Sequence, residues 1–191
     1  MKVISIFALL NISLGLTAQG NTQEVKATAN SYFTLIEQQN ISEALDYIYP
    51  EFLDLLGKET FENMFNQIFN APGVEIGLGN FKIDSVSPSF KSDERLFVLV
   101  KYKHNMTYKV DMSKDTEGLL ASILLSSYQS KFGKENVTFE APETFIINVA
   151  KDMYAIQSPA YTGWKVIEYE ATMSFFLDKI IPEEVIAHFK N

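Results

Sequence analysis

The sequence predicts an α+β domain: N-terminal helices, an antiparallel β-sheet after them, one helix inserted between strands and one at the C-terminus. Two periodicities carry the prediction. Apolar residues recur at three-and-four spacing from residue 23 to residue 69, the signature of helices with one buried stripe. After Gly73 the spacing shortens to two, the signature of strands whose side chains alternate between faces. No internal repeat, low-complexity tract or linker interrupts this order, so residues 19–191 are expected to form a single domain.

In residues 23–39, Val25, Ala29, Tyr32, Phe33 and Ile36 share one helical face, with Asn21 and Thr22 as candidate caps and Glu24 in the first turn. Ser42 is placed to cap a second helix carrying Ala44, Leu45, Ile48 and Tyr49. Pro50 ends that helix, because its ring clashes with a helix interior, and opens the next turn. Phe52, Leu53, Leu55 and Leu56 continue to Gly57, a C-cap. A further helix starts at Thr60 and carries Phe61, Met64, Phe65, Ile68 and Phe69, closed by the turn residues 70–73.

Strands are expected over residues 81–86, 95–110, 137–141, 144–156 and 163–169. Gly77 and Gly79, before the first of them, read as turn and bulge glycines. In the long strand, Val98, Val100, Tyr102, His104, Met106 and Tyr108 fall on one face. Phe97 and Leu99 make its first half apolar on the other face too, so that face also needs cover. The inserted helix spans residues 115–132, with Leu119, Leu120, Ile123, Leu124 and Tyr128 along one side and Gly133 as its stop. Pro182, Glu183 and Glu184 form the first turn of a last helix holding Val185, Ile186 and Phe189.

The chain opens with one charge, Lys2, and then a mostly apolar stretch from Val3 to Ala18. This is the pattern of a cleavable signal peptide over residues 1–18, cut after Ala18, and its apolar run of about fifteen residues is short of the roughly twenty that cross a bilayer. A secreted or periplasmic protein is expected, without stable membrane insertion. The absence of cysteine rules out disulfides and the usual lipid anchor, and favours a bacterial secretory route. Acidic residues number 24 against 16 basic ones, and Arg95 is the single arginine. Nucleic acid is therefore excluded as a partner, since phosphate contacts need clustered lysine and arginine.

Three stretches carry a family resemblance: Tyr32-Phe33-Thr34-Leu35-Ile36, Ile41-Ser42-Glu43-Ala44-Leu45-Asp46-Tyr47-Ile48, and Gly163-Trp164-Lys165-Val166. Together with the helices-then-meander order, they resemble the NTF2-like superfamily, which includes ketosteroid isomerase and scytalone dehydratase relatives. The likeness covers roughly residues 23–169. It implies a cystatin-like cone, with N-terminal helices packed into a strongly curved sheet around an interior that can hold a small molecule. The helix at 115–132 and the tail after Tyr169 depart from the minimal pattern of that superfamily.

Few residues offer chemistry. His104 is the first candidate, because its strand face turns it inward, and Asp46 from the second helix would make it a general base if the two met. The plainer alternatives are a strand histidine satisfied by backbone and an aspartate on a solvated helix face. The isomerase relatives set an aspartate and a tyrosine in an apolar cone; Asp46, Tyr47, Tyr102, Tyr108 and Asp111 could be cast in those parts, but no spacing forces the match. Fifteen phenylalanines and nine tyrosines supply a pocket wall or simply a core. The pocket candidates are Tyr32, Tyr47, Tyr102, His104, Tyr154 and Trp164. Asp111, Asp115, Glu117 and Gly118 lack the order of a calcium loop, His104 and His188 are too few for zinc, and no phosphate cradle or serine-hydrolase elbow exists. No metal or cofactor is expected. The function that follows is a secreted, non-catalytic domain binding a small apolar or amphipathic ligand in its cone. The alternatives are a dimerisation module, pairing through Phe97, Leu99 and Ile146 or Ile147, and an isomerase- or dehydratase-type enzyme using His104 or a carboxylate as base.

Overall fold

A computed structural model describes residues 13–169 and 174–190. Most of the expected signal peptide, residues 1–12, lies outside them. Helix α1 (Ser13–Glu37) already runs through Asn21 and Thr22, so these residues are interior to a helix rather than caps. All five stripe residues of α1, from Val25 to Ile36, are buried.

The second helix is shorter than its apolar spacing suggests. Asn40, not Ser42, caps α2 (Ile41–Ala44), accepting from the Glu43 N–H. The chain then tightens into a 3-10 turn (Leu45–Tyr47), and Ile48 is extended. Ile48 bridges to Val166, and the Tyr49 N–H donates to the Val166 carbonyl at 2.9 Å. Pairing with a sheet edge has won over helix propensity here, and it pins the helical cluster to the sheet. Pro50 opens α3 (Pro50–Leu56), and Gly57 joins it to α4 (Lys58–Phe69). Gly57 has φ +83°, a left-handed conformation that a side chain would strain.

The sheet is six-stranded and antiparallel: β1 (Val74–Val86), β2 (Phe90–Ser92), β3 (Arg95–Val110), β4 (Val137–Glu140), β5 (Thr144–Gln157) and β6 (Trp164–Tyr169). β3 and β5 pair along their length at its centre. β1 and β2 share the free edge of β3, while β4 and β6 share the free edge of β5. β1 begins earlier than its alternation suggests, taking Gly77 and Gly79 into the ladder, and the register shifts between Gly79 and Lys82, where a bulge forms. β2, three residues long, is not among the strands expected from the sequence.

On the inner face, Tyr102 is opposite Lys151 and Tyr108 opposite Phe145. α1 covers one half of this face, with Phe33 stacked on Phe81 and against Tyr102. α5 (Leu119–Phe132) covers the far half through Tyr128, which meets Tyr108 and Phe145. α5 starts at Leu119 rather than at 115: the Asp115 carboxylate accepts from the Leu120 and Ala121 N–H groups and closes the helix N-terminus. These two bonds hold its pKa below the usual carboxylate range.

The outer face is covered by the chain itself. α6 (Ser174–Ile180), which sequence periodicity does not predict, and α7 (Glu183–Lys190) bring Leu177, Ile181 and Val185 into the core with Phe97, Leu99 and Ile156. Phe189 meets Tyr154 and Phe90, and Arg95 donates to the Ile180 carbonyl while lying over the Phe97 ring. Phe97 and Leu99 are thus buried, and Ile147 points to the inner face and is buried too. Phe97 and Leu99, two of the residues expected to seek a second copy, are covered by α6 and α7 instead, since burying them within the chain costs no association entropy; Ile146 stays partly exposed.

Candidate functional site

An apolar cavity of about 360 Å³ lies between α1, α3, α4 and the β5–β6 strands. Its wall comes from Tyr32 of α1, Ile48, Phe52 of α3, and Phe61, Met64, Phe65 and Ile68 of α4, with Ile167, Lys151 and Glu168 from the sheet. Local sequence explains the wall. The three-and-four spacing of Phe61, Met64, Phe65 and Ile68 sets them on one side of α4, and Gly57 turns that side toward the sheet. Phe61 meets Phe52 edge-on at 5.9 Å and Phe65 at 5.1 Å, the tilted geometries aromatic rings prefer. Yet no residue of α4 is buried, and Met64 and Ile68 are each more than two-fifths exposed. α4 therefore lies over the cavity without sealing it.

One polar element faces this apolar wall. Lys151 Nζ donates to Glu168 Oε2 at 2.9 Å, and the two side chains are only 24% and 31% exposed. β5 and β6 hold them on the inner face, where Met153 is directly opposite Glu168. Tyr32 is buried beside them, and desolvation, with the Glu168 charge adding to it, pushes its phenol well above the usual value. Its hydroxyl stays protonated and neutral.

His104 is 4% exposed. It is stacked on Phe81 at 4.8 Å and lies near Tyr102, with Nδ1 3.4 Å from the Asn105 carbonyl. Burial, reinforced by the Lys151 charge, lowers its pKa below the ordinary 6.5. It is not among the cavity-lining residues. Asp46 is exposed, its carboxylate 3.4 Å from Lys58 Nζ, and its carbonyl accepts from Lys165. The pair considered from sequence, His104 with Asp46, is therefore not formed.

The six pocket candidates separate. Tyr32 lines the cavity, while Tyr102 and His104 belong to the packed inner face beneath α1. Tyr154 is on the outer face against Phe189. Tyr47 and Trp164 line a different, open depression with Thr28, Glu43 and Asp46, and Trp164 donates to Glu24 at 3.2 Å. Sequence reasoning missed Lys151 and Glu168. Their signal was present: a lysine and a glutamate each on the apolar face of a strand, where alternation otherwise calls for an apolar residue.

No grouping of histidine, aspartate and glutamate able to hold a metal occurs among the described residues, and among them no helix is long and apolar enough to cross a membrane. No family model and no curated protein matches the chain.

Proposed function

We propose that this chain is a secreted, non-catalytic domain of the NTF2-like kind that holds a small apolar or amphipathic molecule in the cavity beneath α4. The observation that carries the proposal is that cavity: about 360 Å³, walled by four aromatic rings and aliphatic side chains around one ion pair. Its volume is within the roughly 300–1,000 Å³ of small-molecule sites, and a mostly apolar wall with a few convergent polar groups is their usual make-up. N-terminal helices packed on the inner face of an antiparallel sheet accord with the NTF2-like resemblance, and the leader-like pattern of residues 1–18 is the ground for secretion.

Binding is favoured over isomerase or dehydratase chemistry by where the candidate bases lie. A general base must reach the proton it abstracts and be free to take it; His104 is outside the cavity wall, Asp46 is in solvent beside Lys58, and Glu168, the carboxylate in that wall, is already engaged by the Lys151 ammonium at 2.9 Å.

Native mass spectrometry tests the proposal, on protein secreted from a bacterial host with its own leader, and on a Met64→Trp variant whose larger side chain fills the cavity from its rim. The expected result is a retained adduct, or saturable one-to-one uptake of the neutral probe N-phenylnaphthylamine, that the variant loses. A wild-type protein that is bare and takes up no probe would overturn it.

A further inference from the structure

We infer that the cavity beneath α4 selects amphipaths whose head is neutral and hydrogen-bonding, a hydroxyl or a carbonyl, over those with a carboxylate or an ammonium head. The inference rests on the binding function proposed above and adds the chemical class of the ligand.

The polar groups of the cavity are one cation, one anion and one neutral phenol: Lys151, Glu168 and Tyr32. The cation and anion are already paired at 2.9 Å. A carboxylate head brought to Lys151 meets a charge that Glu168 already offsets from 2.9 Å away, so its attraction to Lys151 is opposed by repulsion from Glu168. An ammonium head meets the same balance with the signs reversed. Either ion still loses its hydration on entering an apolar wall, and nothing in the charge balance returns that loss.

A neutral head escapes this cost. A hydroxyl can accept from the Lys151 ammonium and donate to the Glu168 carboxylate together, and a carbonyl can accept from Lys151. Both leave the ion pair intact. Hydrogen bonds with one charged partner are the stronger kind, so one such head group fixes the ligand's orientation. The apolar body then extends toward Phe61, Phe65 and Ile68 on α4. Tyr32, kept protonated by burial, adds no charge that would tip the balance.

Three probes with one tail separate the terms: decanol, decanoate and decylammonium, titrated calorimetrically into the full secreted chain at neutral pH. Decanol is expected to bind one-to-one and at least about ten-fold more tightly than either ion. Glu168→Gln removes the anion and leaves Lys151 unbalanced, so in that variant decanoate is expected to gain at least about ten-fold relative to decanol. If decanoate or decylammonium binds wild type as tightly as decanol, the neutral-head inference is overturned while the binding function stands. If none of the three binds, the binding function fails and this inference with it. The wild-type ranking decides the matter even where the variant does not fold.

Discussion

Replacing Lys151 with methionine should destabilise the protein, and replacing Lys151 and Glu168 together should not. At 2.9 Å and an effective dielectric of about 20, the gross attraction of the pair is about 6 kcal/mol. Desolvation of two ions that keep only 24% and 31% of their exposure takes back several kcal/mol for each, so the net contribution of the pair is near zero. Lys151→Met removes the attraction and leaves the Glu168 carboxylate in an apolar wall. A fully buried orphan charge costs about 3–5 kcal/mol, and the exposure that Glu168 retains reduces this to about 2–3 kcal/mol. For a domain of this size that is a fall of about 5–10 °C in Tm. Lys151→Met with Glu168→Leu removes both desolvation costs and should fall within about 1 kcal/mol of wild type, or above it. Urea unfolding of wild type, both single variants and the double variant reads the coupling directly. Additive losses in the double variant would refute the reasoning, because zero coupling would mean that the two side chains stabilise the fold independently and not as a pair.

Three further outcomes are expected. His104 has a pKa lowered by burial and by Lys151, so the unfolded chain takes up its proton first as pH falls through about 6.5. Wild type should therefore lose stability below that pH with an added slope of at most about 1.4 kcal/mol per pH unit, lasting until the lower folded pKa is passed; His104→Phe should lack it in urea titrations, and equal slopes would contradict a buried neutral imidazole. Phe33, stacked on Phe81 at 4.6 Å and 4.8 Å from Tyr102, joins α1 to the sheet, so Phe33→Ala should cost about 3–5 kcal/mol by the same assay, and a loss under about 1 kcal/mol would contradict that packing. Truncation after Tyr169 strips α6 and α7 from Phe97, Leu99 and Tyr154; sedimentation should show self-association or aggregation, and a folded monomer would show that the outer face needs no cover.

The helical stripe of α1 and the limits of β3 were fully legible in the sequence, because each is a long run with one strong periodicity. Elements set by tertiary partners were not. Tyr49 reads as helical until Val166 offers its backbone carbonyl. Seven-residue α6 has too little periodicity of its own and is held by Leu177 in the core. The three-residue β2 exists because Phe90 pairs with Phe97 and meets Phe189. Of the site, α4 was legible as an amphipathic helix and Tyr32 as an inward residue, but which inward residues border empty space depends on how α4 sits. Hence Tyr102, His104 and Tyr154 looked equivalent to Tyr32 and are packed instead.

The most direct measurement of whether the cavity is a binding site is methyl NMR of protein labelled at isoleucine and methionine, titrated with decanol. Ile48, Met64 and Ile68 line the cavity, whereas Ile123, more than half exposed on α5, serves as the internal control. The expected result is that the three cavity methyls shift together and saturate at one equivalent while Ile123 stays fixed. Saturable shifts at Ile123, or shifts at none of the four, would contradict a ligand site beneath α4.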